Sequence, residues 1–240
     1  MEPVCWAWIP ARGGSKSIPR KNLQLLHGIP LLSHSIRYAQ AQWPHISRVI
    51  VSTDDDEIAS LARQEGSLVV MRPPHLATDT SRDDEVLRHL VQYFQNQTES
   101  PDYWVQLRPT YPLRPRSLFS HIYEQYLHSP TQSPHALRTV VLSPHPPFKM
   151  YRVEPDTQYI IPLFSSWESV EKPYEAPRQE LPTCYWHNGC LDIISHRVFL
   201  EEETLTPSRT IAFQMPDHET LDIDEPHDLA RAEAQKKKTE

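Results

Sequence analysis

The sequence predicts an α/β protein with a mostly parallel central sheet and helices on both faces. Three observations predict it. Short apolar runs at residues 4–9, 48–52, 68–71 and 103–107 read as buried strands. Helical stripes follow them at 31–39, 58–62, 86–94 and 118–126. Strand and helix alternate in this way through the first half of the chain, as parallel strands joined by crossover helices do.

Each element has a local reason. Pro30 stands where a helix can start, with Leu31, Leu32, Ile36 and Ala39 on one stripe after it. The run at 48–52 leads into Thr53-Asp54-Asp55-Asp56. Ile58, Leu61 and Ala62 then pattern a short helix that ends near Gly66. Arg72-Pro73-Pro74 breaks the third strand. Thr80 or Ser81 is placed to cap a helix carrying Val86, Leu87, Leu90, Val91 and Phe94. After the fourth strand, Pro109 and Pro112 hold a loop open, and Leu118, Ile122, Tyr123 and Tyr126 mark the next helix. Past residue 129 the alternation stops. Residues 139–142 and 148–151 read as strands with no helix between them. Residues 162–183 are polar, proline-bearing and irregular, a length that calls for a lid or a partner surface. Strand character returns at 185–194 and 210–215. Pro226 to Ala234 reads as a terminal helix, with Lys236, Lys237 and Lys238 suited to its C-terminal end.

Composition narrows the function classes. A chain of 240 residues, 38% hydrophobic, can bury one sizeable core, and it reads as a single domain over 1–240. The net charge of −7 argues against a general nucleic-acid binder. No run of 18 apolar residues occurs, and Met1-Glu2-Pro3 lacks the basic and apolar regions of a secretory signal. Cys5, Cys184 and Cys190 are odd in number. Free thiols in a reducing cytoplasm are the expectation. Cys184-x-x-His187-x-x-Cys190 offers only three soft ligands and no second Cys-x-x-Cys, which argues against zinc.

The stretch Ile9-Pro10-Ala11-Arg12-Gly13-Gly14-Ser15-Lys16-Ser17-Ile18-Pro19-Arg20-Lys21-Asn22 stands out against the acidic background. It places two of five glycines side by side and adds Arg12, Lys16, Arg20 and Lys21 within ten residues. Glycine gives access to positive φ and close backbone approach, and inward N–H groups ringed by cations make an anion site. A polyphosphate is the expected anion; a basic solvated loop is the plain alternative. Neither the P-loop nor the dinucleotide fingerprint is present. Near the C-terminus, Leu221-Asp222-Ile223-Asp224 alternates apolar and acidic. If extended, both carboxylates point to one side, an arrangement that suits Mg²⁺. The same run also suits a helix start, with Asp224 as N-cap before Glu225-Pro226.

Residues 9–22 closely resemble the signature of the CMP-sialic acid synthetases (acylneuraminate cytidylyltransferases), I-P-A-R-G-G-S-K-G-I-P-x-K-N, with Ser17 in place of a glycine. Residues 221–229 resemble that family's I-D-I-D-x-x-x-D-L. Arg72-Pro73-Pro74-His75-Leu76-Ala77-Thr78-Asp79-Thr80-Ser81 resembles its R-P-x-x-L-A-x-D-T-A, and Asp83 falls where the family often has serine. Arg108-Pro109-Thr110-Tyr111-Pro112-Leu113-Arg114 resembles Q-P-T-S-P-L-R, with Arg108 in place of glutamine. Asn188-Gly189-Cys190-Leu191-Asp192-Ile193 resembles N-G-A-I-Y-I, with Asp192 in place of tyrosine.

The resemblance implies a Rossmann-like nucleotide-diphospho-sugar transferase fold with a smaller β-rich dimerisation extension or lid at about 143–180. It implies transfer of CMP from CTP to the anomeric hydroxyl of an acidic nine-carbon keto-sugar, releasing pyrophosphate. It assigns catalysis to Arg12, Lys21 and Asp222, and Mg²⁺ (or Mn²⁺) to Asp222 and Asp224. Substrate contacts fall on Ala11, Gly13, Ser15, Lys16, Asn22, Arg72, Ser81, Arg108, Arg178, Gln179 and Asn188. A homodimer is implied, with neither nucleic acid nor membrane as partner. The alternatives are a nucleotidyltransferase of the same fold acting on another sugar or a sugar 1-phosphate, and a nucleotide-sugar-binding homologue without catalysis, suggested by Arg108 and Asp192.

Overall fold

The computed structural model describes residues 3–129, 135–216 and 221–235. In chain order its elements are β1 (Cys5–Pro10), the small hairpin β2 (Leu25–Leu26) and β3 (Ile29–Pro30), α1 (Leu31–Gln40), β4 (Ile46–Thr53), α2 (Asp56–Gln64), β5 (Leu68–Met71), α3 (Asp83–Gln95) and β6 (Tyr103–Gln106). There follow α4 (Leu118–Leu127), β7 (Ala136–Leu142), β8 (Tyr151–Val153), β9 (Ile160–Pro162), β10 (Ser166–Trp167), β11 (Val170–Glu171), β12 (Tyr185–Ser195), α5 (His196–Glu202), β13 (Thr210–Gln214) and α6 (Pro226–Ala234).

Seven strands pair in the order β13-β7-β12-β6-β1-β4-β5. The β1, β4, β5 and β6 pairings are parallel, as the strand–helix alternation predicts, and β13 runs parallel to β7. Only β12 is antiparallel to its neighbours β6 and β7. The alternation of β1 sorts the core into two layers. Cys5, Ala7 and Ile9 pack with residues of α1, α2 and α4 on one face. Trp6 and Trp8 pack with Val86, Leu87, Leu90 and Phe94 of α3 and Phe199 of α5 on the other. A third, smaller cluster joins Ile18, Leu26 and Leu31 to Leu221, Ile223 and Ala232. Those few side chains seat the basic loop against the C-terminal acidic run.

Several expectations are corrected. α3 starts at Asp83, not at a Thr80 or Ser81 cap; Arg82 precedes it, and its N–H donates to Glu85 Oε2 at 2.9 Å. Residues 148–151 are not one strand: Pro147–Lys149 forms a 3₁₀ turn and β8 follows. Pro144, Pro146 and Pro147 lack the N–H groups a ladder needs. Asp224 is not the N-cap of α6. Glu225 holds that position, and Asp228 Oδ2 accepts the N–H groups of Glu225 at 2.9 Å and Asp224 at 3.2 Å. The short helix α5 has no counterpart in the sequence reading. Lys236, Lys237 and Lys238 lie outside the described residues.

The segment expected as a β-rich extension holds the small hairpins β8–β9 and β10–β11. Phe148, Phe164 and Trp167 pack their rings together there. Tyr159, Ile160, Val153 and Leu163 remain exposed on it.

Candidate active site

The basic loop leaves the carboxyl end of β1, where open α/β sheets place ligand sites. Ala11 is buried and its N–H donates to the Ser52 carbonyl at 2.9 Å, which continues the β1–β4 pairing into the loop. Gly13 N–H donates to Asp54 Oδ1 at 3.0 Å. A Cβ at Gly13 would lie 2.6 Å from Asp55 Oδ2 and 2.9 Å from Asp55 Cβ. Gly13 is therefore required for close approach rather than for positive φ. Nothing stands within 4 Å of a Cβ at Gly14. The left-handed residue of the loop is Arg20, at φ 56, so Ser17 in place of a glycine meets no such strain. Ser15 N–H turns back to the Gly13 carbonyl at 3.1 Å. Buried Asn22 braces the loop by donating to the Arg12 carbonyl at 2.8 Å.

The four cations divide into three tasks. Arg12 Nη1 contacts Asp79 Oδ1 at 2.8 Å, and Lys16 Nζ pairs with the other Asp79 oxygen. Lys16, and then Arg12, hold the Asp79 carboxyl below its ordinary pKa. Arg20 pairs with Asp55 and Glu57 at the start of α2. Asp55 also caps that helix, accepting from Glu57 and Ile58 N–H at 3.0 Å each. Lys21 is buried, and its Nζ donates to the Ile223 carbonyl at 3.0 Å, the Asp224 carbonyl at 3.2 Å and Asp224 Oδ1 at 2.9 Å. Ser17 Oγ donates to the Asp224 carbonyl at 2.6 Å. The fold thus joins two sequence motifs about 200 residues apart.

The acidic run belongs to no strand or helix; Ile223 N–H donates to the Thr110 carbonyl at 2.8 Å. Asp222 Oδ1 is buried and has no hydrogen-bond partner among the described residues. Burial raises the Asp222 carboxyl pKa and the neighbouring Asp224 charge adds to it, against a Thr110 hydrogen bond and the charges of Arg108 and Lys21. An orphaned carboxylate oxygen beside a second, exposed carboxylate fits a hard divalent cation. No cluster of three or more His, Cys, Asp or Glu side chains suited to a metal occurs among the described residues. Two carboxylates completed by water and phosphate oxygens match what Mg²⁺ accepts. Burial pushes the Cys190 thiol up to about 12.

The remaining expected contacts separate. Arg72 is buried, donates to the Ser52 and Leu76 carbonyls, and has its pKa lowered to about 10 by burial. Ser81 Oγ donates to the His75 carbonyl at 3.1 Å and accepts Thr78 N–H at 2.9 Å, closing the turn before α3. Arg108 reaches Asp83 Oδ2 at 2.8 Å and Asp192 Oδ2 at 3.2 Å. A Cβ at Gly189 would lie 3.5 Å from Arg108 Cδ and 3.9 Å from Asp222 Oδ2, so Arg108 and Asp222 flank one point. Asn188 is fully buried, with Nδ2 on Met215 Sδ and Oδ1 accepting Cys190 N–H. Arg178 and Gln179 are exposed on the Arg178–Glu180 turn and make no hydrogen bond or ion pair with the loop or the acidic run.

Sequence reasoning gave no role to Asp79, Thr110, Gln106, Arg138 or His187. A signal existed for the charged cluster. Asp192 interrupts the apolar run 190–194, and a charge in a central strand needs a partner.

Residues 7–160 match the family described as Cytidylyltransferase. This chain belongs to that family. The chain is 31% identical over 229 residues to the N-acylneuraminate cytidylyltransferase of Streptococcus agalactiae serotype V, covering 93% of this chain and 51% of that protein. The chain thus spans about half the length of that relative. It is 28% identical to the pseudaminic acid cytidylyltransferase of Campylobacter jejuni, covering 92% and 91% of the two chains. A solved CMP:2-keto-3-deoxy-manno-octonic acid synthetase complexed with CTP has a TM-score of 0.64 over 96% of this chain and 97% of that one. Its 18% identity makes the likeness one of fold. Among the described residues, no helix is long and apolar enough to cross a membrane.

Proposed function

We propose that this cytidylyltransferase moves CMP from CTP to the anomeric hydroxyl of a sialic-acid-like nonulosonic acid and releases pyrophosphate. The observation that carries the reading is Lys21, which draws the acidic pair Asp222 and Asp224 against a glycine-bearing basic loop. Such a juxtaposition suits a metal-bound triphosphate better than any neutral ligand. The names of the relatives supply the sugar class.

The anomeric hydroxyl attacks the α-phosphorus and gives up its proton to water, the bond to the oxygen bridging the α- and β-phosphates breaks, and its electron pair leaves on pyrophosphate. This chain contributes positioning and charge. Arg12 and Lys16, now sharing Asp79, turn to the phosphates when CTP enters. Lys21 fixes Asp224, and Asp222 and Asp224 hold Mg²⁺ or Mn²⁺, which when bound offsets charge on the phosphate oxygens. Asn22 keeps the loop backbone in place. The acting unit in this reading is a homodimer. Its contact surface is the exposed apolar arm within 143–180, and that arm carries Arg178 and Gln179 toward the partner's site.

Pyrophosphate release measured with four nucleoside triphosphates and a panel of sugar acids tests this. CTP with a nonulosonic acid is the expected pair. Turnover only with a sugar 1-phosphate, or with no pair at all, would overturn it.

A further inference from the structure

Three positions at which this chain departs from the family pattern, Asp83, Arg108 and Asp192, meet in one charged cluster. Asp192 of β12 lies opposite Gln106 of β6 on one side and Arg138 of β7 on the other, so the three stand in one row on one sheet face. Asp192 is buried and shared: His187 Nε2 lies 2.9 Å from Oδ1, while Arg108 Nη1 at 3.2 Å and Arg138 Nε at 4.0 Å face Oδ2. Asp83 Oδ2 accepts from Gln106 Nε2 at 2.7 Å and Arg108 Nη2 at 2.8 Å. Two buried atoms of the row, Gln106 Oε1 and Arg138 Nε, have no hydrogen-bond partner among the described residues.

A cavity of about 210 Å³ opens on this cluster, walled by Asp83, Arg108, Arg138, His187 and Thr204 among others. Leu205 is its one apolar wall residue. Arg108 walls this cavity and also stands, with Asp222 Oδ2, beside Gly189. In the cytidylyl-transfer reading, an acceptor whose anomeric oxygen reaches a phosphorus near Asp222 lies beside Gly189 and Arg108, within reach of this cavity.

We propose that the cavity is an acceptor subsite selective for a sugar acid that presents a hydroxyl, not an acylated amine, to the Arg108–Asp192 cluster. The inference rests on the cytidylyl-transfer reading above. Volume does not decide between the two substituents, because about 210 Å³ admits either. Wall chemistry does. A hydroxyl both donates and accepts, and so serves a wall of guanidinium, carboxylate, imidazole and hydroxyl groups. An acylated amine also donates and accepts, but it brings a methyl that strips water from ion pairs and returns no hydrogen bond, with only Leu205 to receive it. Turning Arg108 away to make room would strip one charged partner each from Asp83 and from buried Asp192.

The test compares two nine-carbon sugar acids that differ in one substituent, hydroxyl against acetamido, by pyrophosphate release at saturating CTP. The expected result is a kcat/KM for the hydroxyl sugar higher by at least about tenfold, carried mainly by KM. Equal or better use of the acetamido sugar would overturn the proposal. Arg138→Met, which replaces an ionic wall with an apolar one, should draw the ratio toward one while the KM for CTP holds; an unchanged ratio would remove the cluster as its cause. Should neither sugar release pyrophosphate while CTP still binds, the transfer reading fails, and calorimetry of the two sugars on the CTP-loaded protein decides the pocket. Tighter binding of the hydroxyl sugar supports it, and equal, reversed or absent binding overturns it.

Discussion

Lys21 Nζ stands 2.9 Å from Asp224 Oδ1 and 3.0 Å from the Ile223 carbonyl, so one ammonium closes the basic loop onto the acidic run. Lys21→Met keeps the aliphatic stem but removes all three donors. The abandoned buried acceptors should cost about 1–3 kcal/mol in denaturant unfolding, and turnover should fall with the loss of Asp224 placement. A variant with unchanged midpoint and unchanged turnover would make the contact dispensable.

Asp222 sets a pH dependence with two opposite signs. Burial, and then Asp224, raise its folded pKa above the ordinary carboxylate value. The metal-free folded state therefore binds this proton more tightly than the unfolded chain does. Its contribution to stability is full below the ordinary pKa and is lost as pH rises through the raised one. Metal binding needs the carboxylate, so activity should rise with pH through that same window, and more Mg²⁺ should move the acid limb to lower pH. Asp222→Asn should leave metal-free stability at neutral pH intact or improved, yet lower turnover by at least about 100-fold. An acid limb that ignores the Mg²⁺ concentration would separate Asp222 from the metal.

The two loop glycines should behave differently. Gly13→Ala puts a Cβ 2.6 Å from Asp55 Oδ2, an atom already engaged with Arg20, in a residue that caps α2. A cost of about 1–3 kcal/mol is expected in thermal unfolding. Gly14→Ala meets nothing within 4 Å and should change stability by less than about 0.5 kcal/mol. A rise in the KM for CTP at unchanged stability would locate the bound nucleotide against Gly14. Equal destabilisation by both would contradict the loop geometry.

Most of the sheet was legible because its signals are local. The four apolar runs became β1, β4, β5 and β6, and Asp55 followed by Ile58 marked the start of α2. The helix stripes also held, down to buried Leu32, Ile36 and Ala39 of α1. Long-range pairing was not legible. Nothing in the local pattern says that Asp79 lies against Arg12, or that Asp192 sits between Gln106 and Arg138 across three strands. Nor does it say that the Asn188 amide meets Met215, 27 residues further along the chain, in the core.

Asp79 occupies both outward cations of the loop, so in the proposed reading CTP displaces it. Arg12→Ala should weaken transition-state stabilisation by roughly 2–4 kcal/mol, seen in kcat as well as in KM for CTP. Asp79→Ala should act in the other direction on binding, lowering the KM for CTP because Arg12 and Lys16 lose an internal competitor. The gain should shrink with added salt, since Lys16 and Asp79 are largely exposed. A higher KM for Asp79→Ala would mean that Asp79 orients the two cations instead of competing for them.

Arg178 is exposed on its turn and unpaired with the loop of its own chain, yet the proposed acceptor carries a carboxylate beside the reacting carbon. A planar guanidinium grips a carboxylate through two parallel hydrogen bonds, which an ammonium cannot reproduce. Arg178→Lys should therefore raise the KM for the sugar acid far more than the KM for CTP. If the arm serves the partner's site, mixing Arg178→Lys with Asp222→Asn restores turnover, because one of the two sites in a mixed dimer then has both native residues. Equal sugar KM values for wild type and Arg178→Lys at saturating CTP would remove Arg178 from the site. A mixture no more active than its two components would place Arg178 and Asp222 in one chain's site, against the exchanged arm.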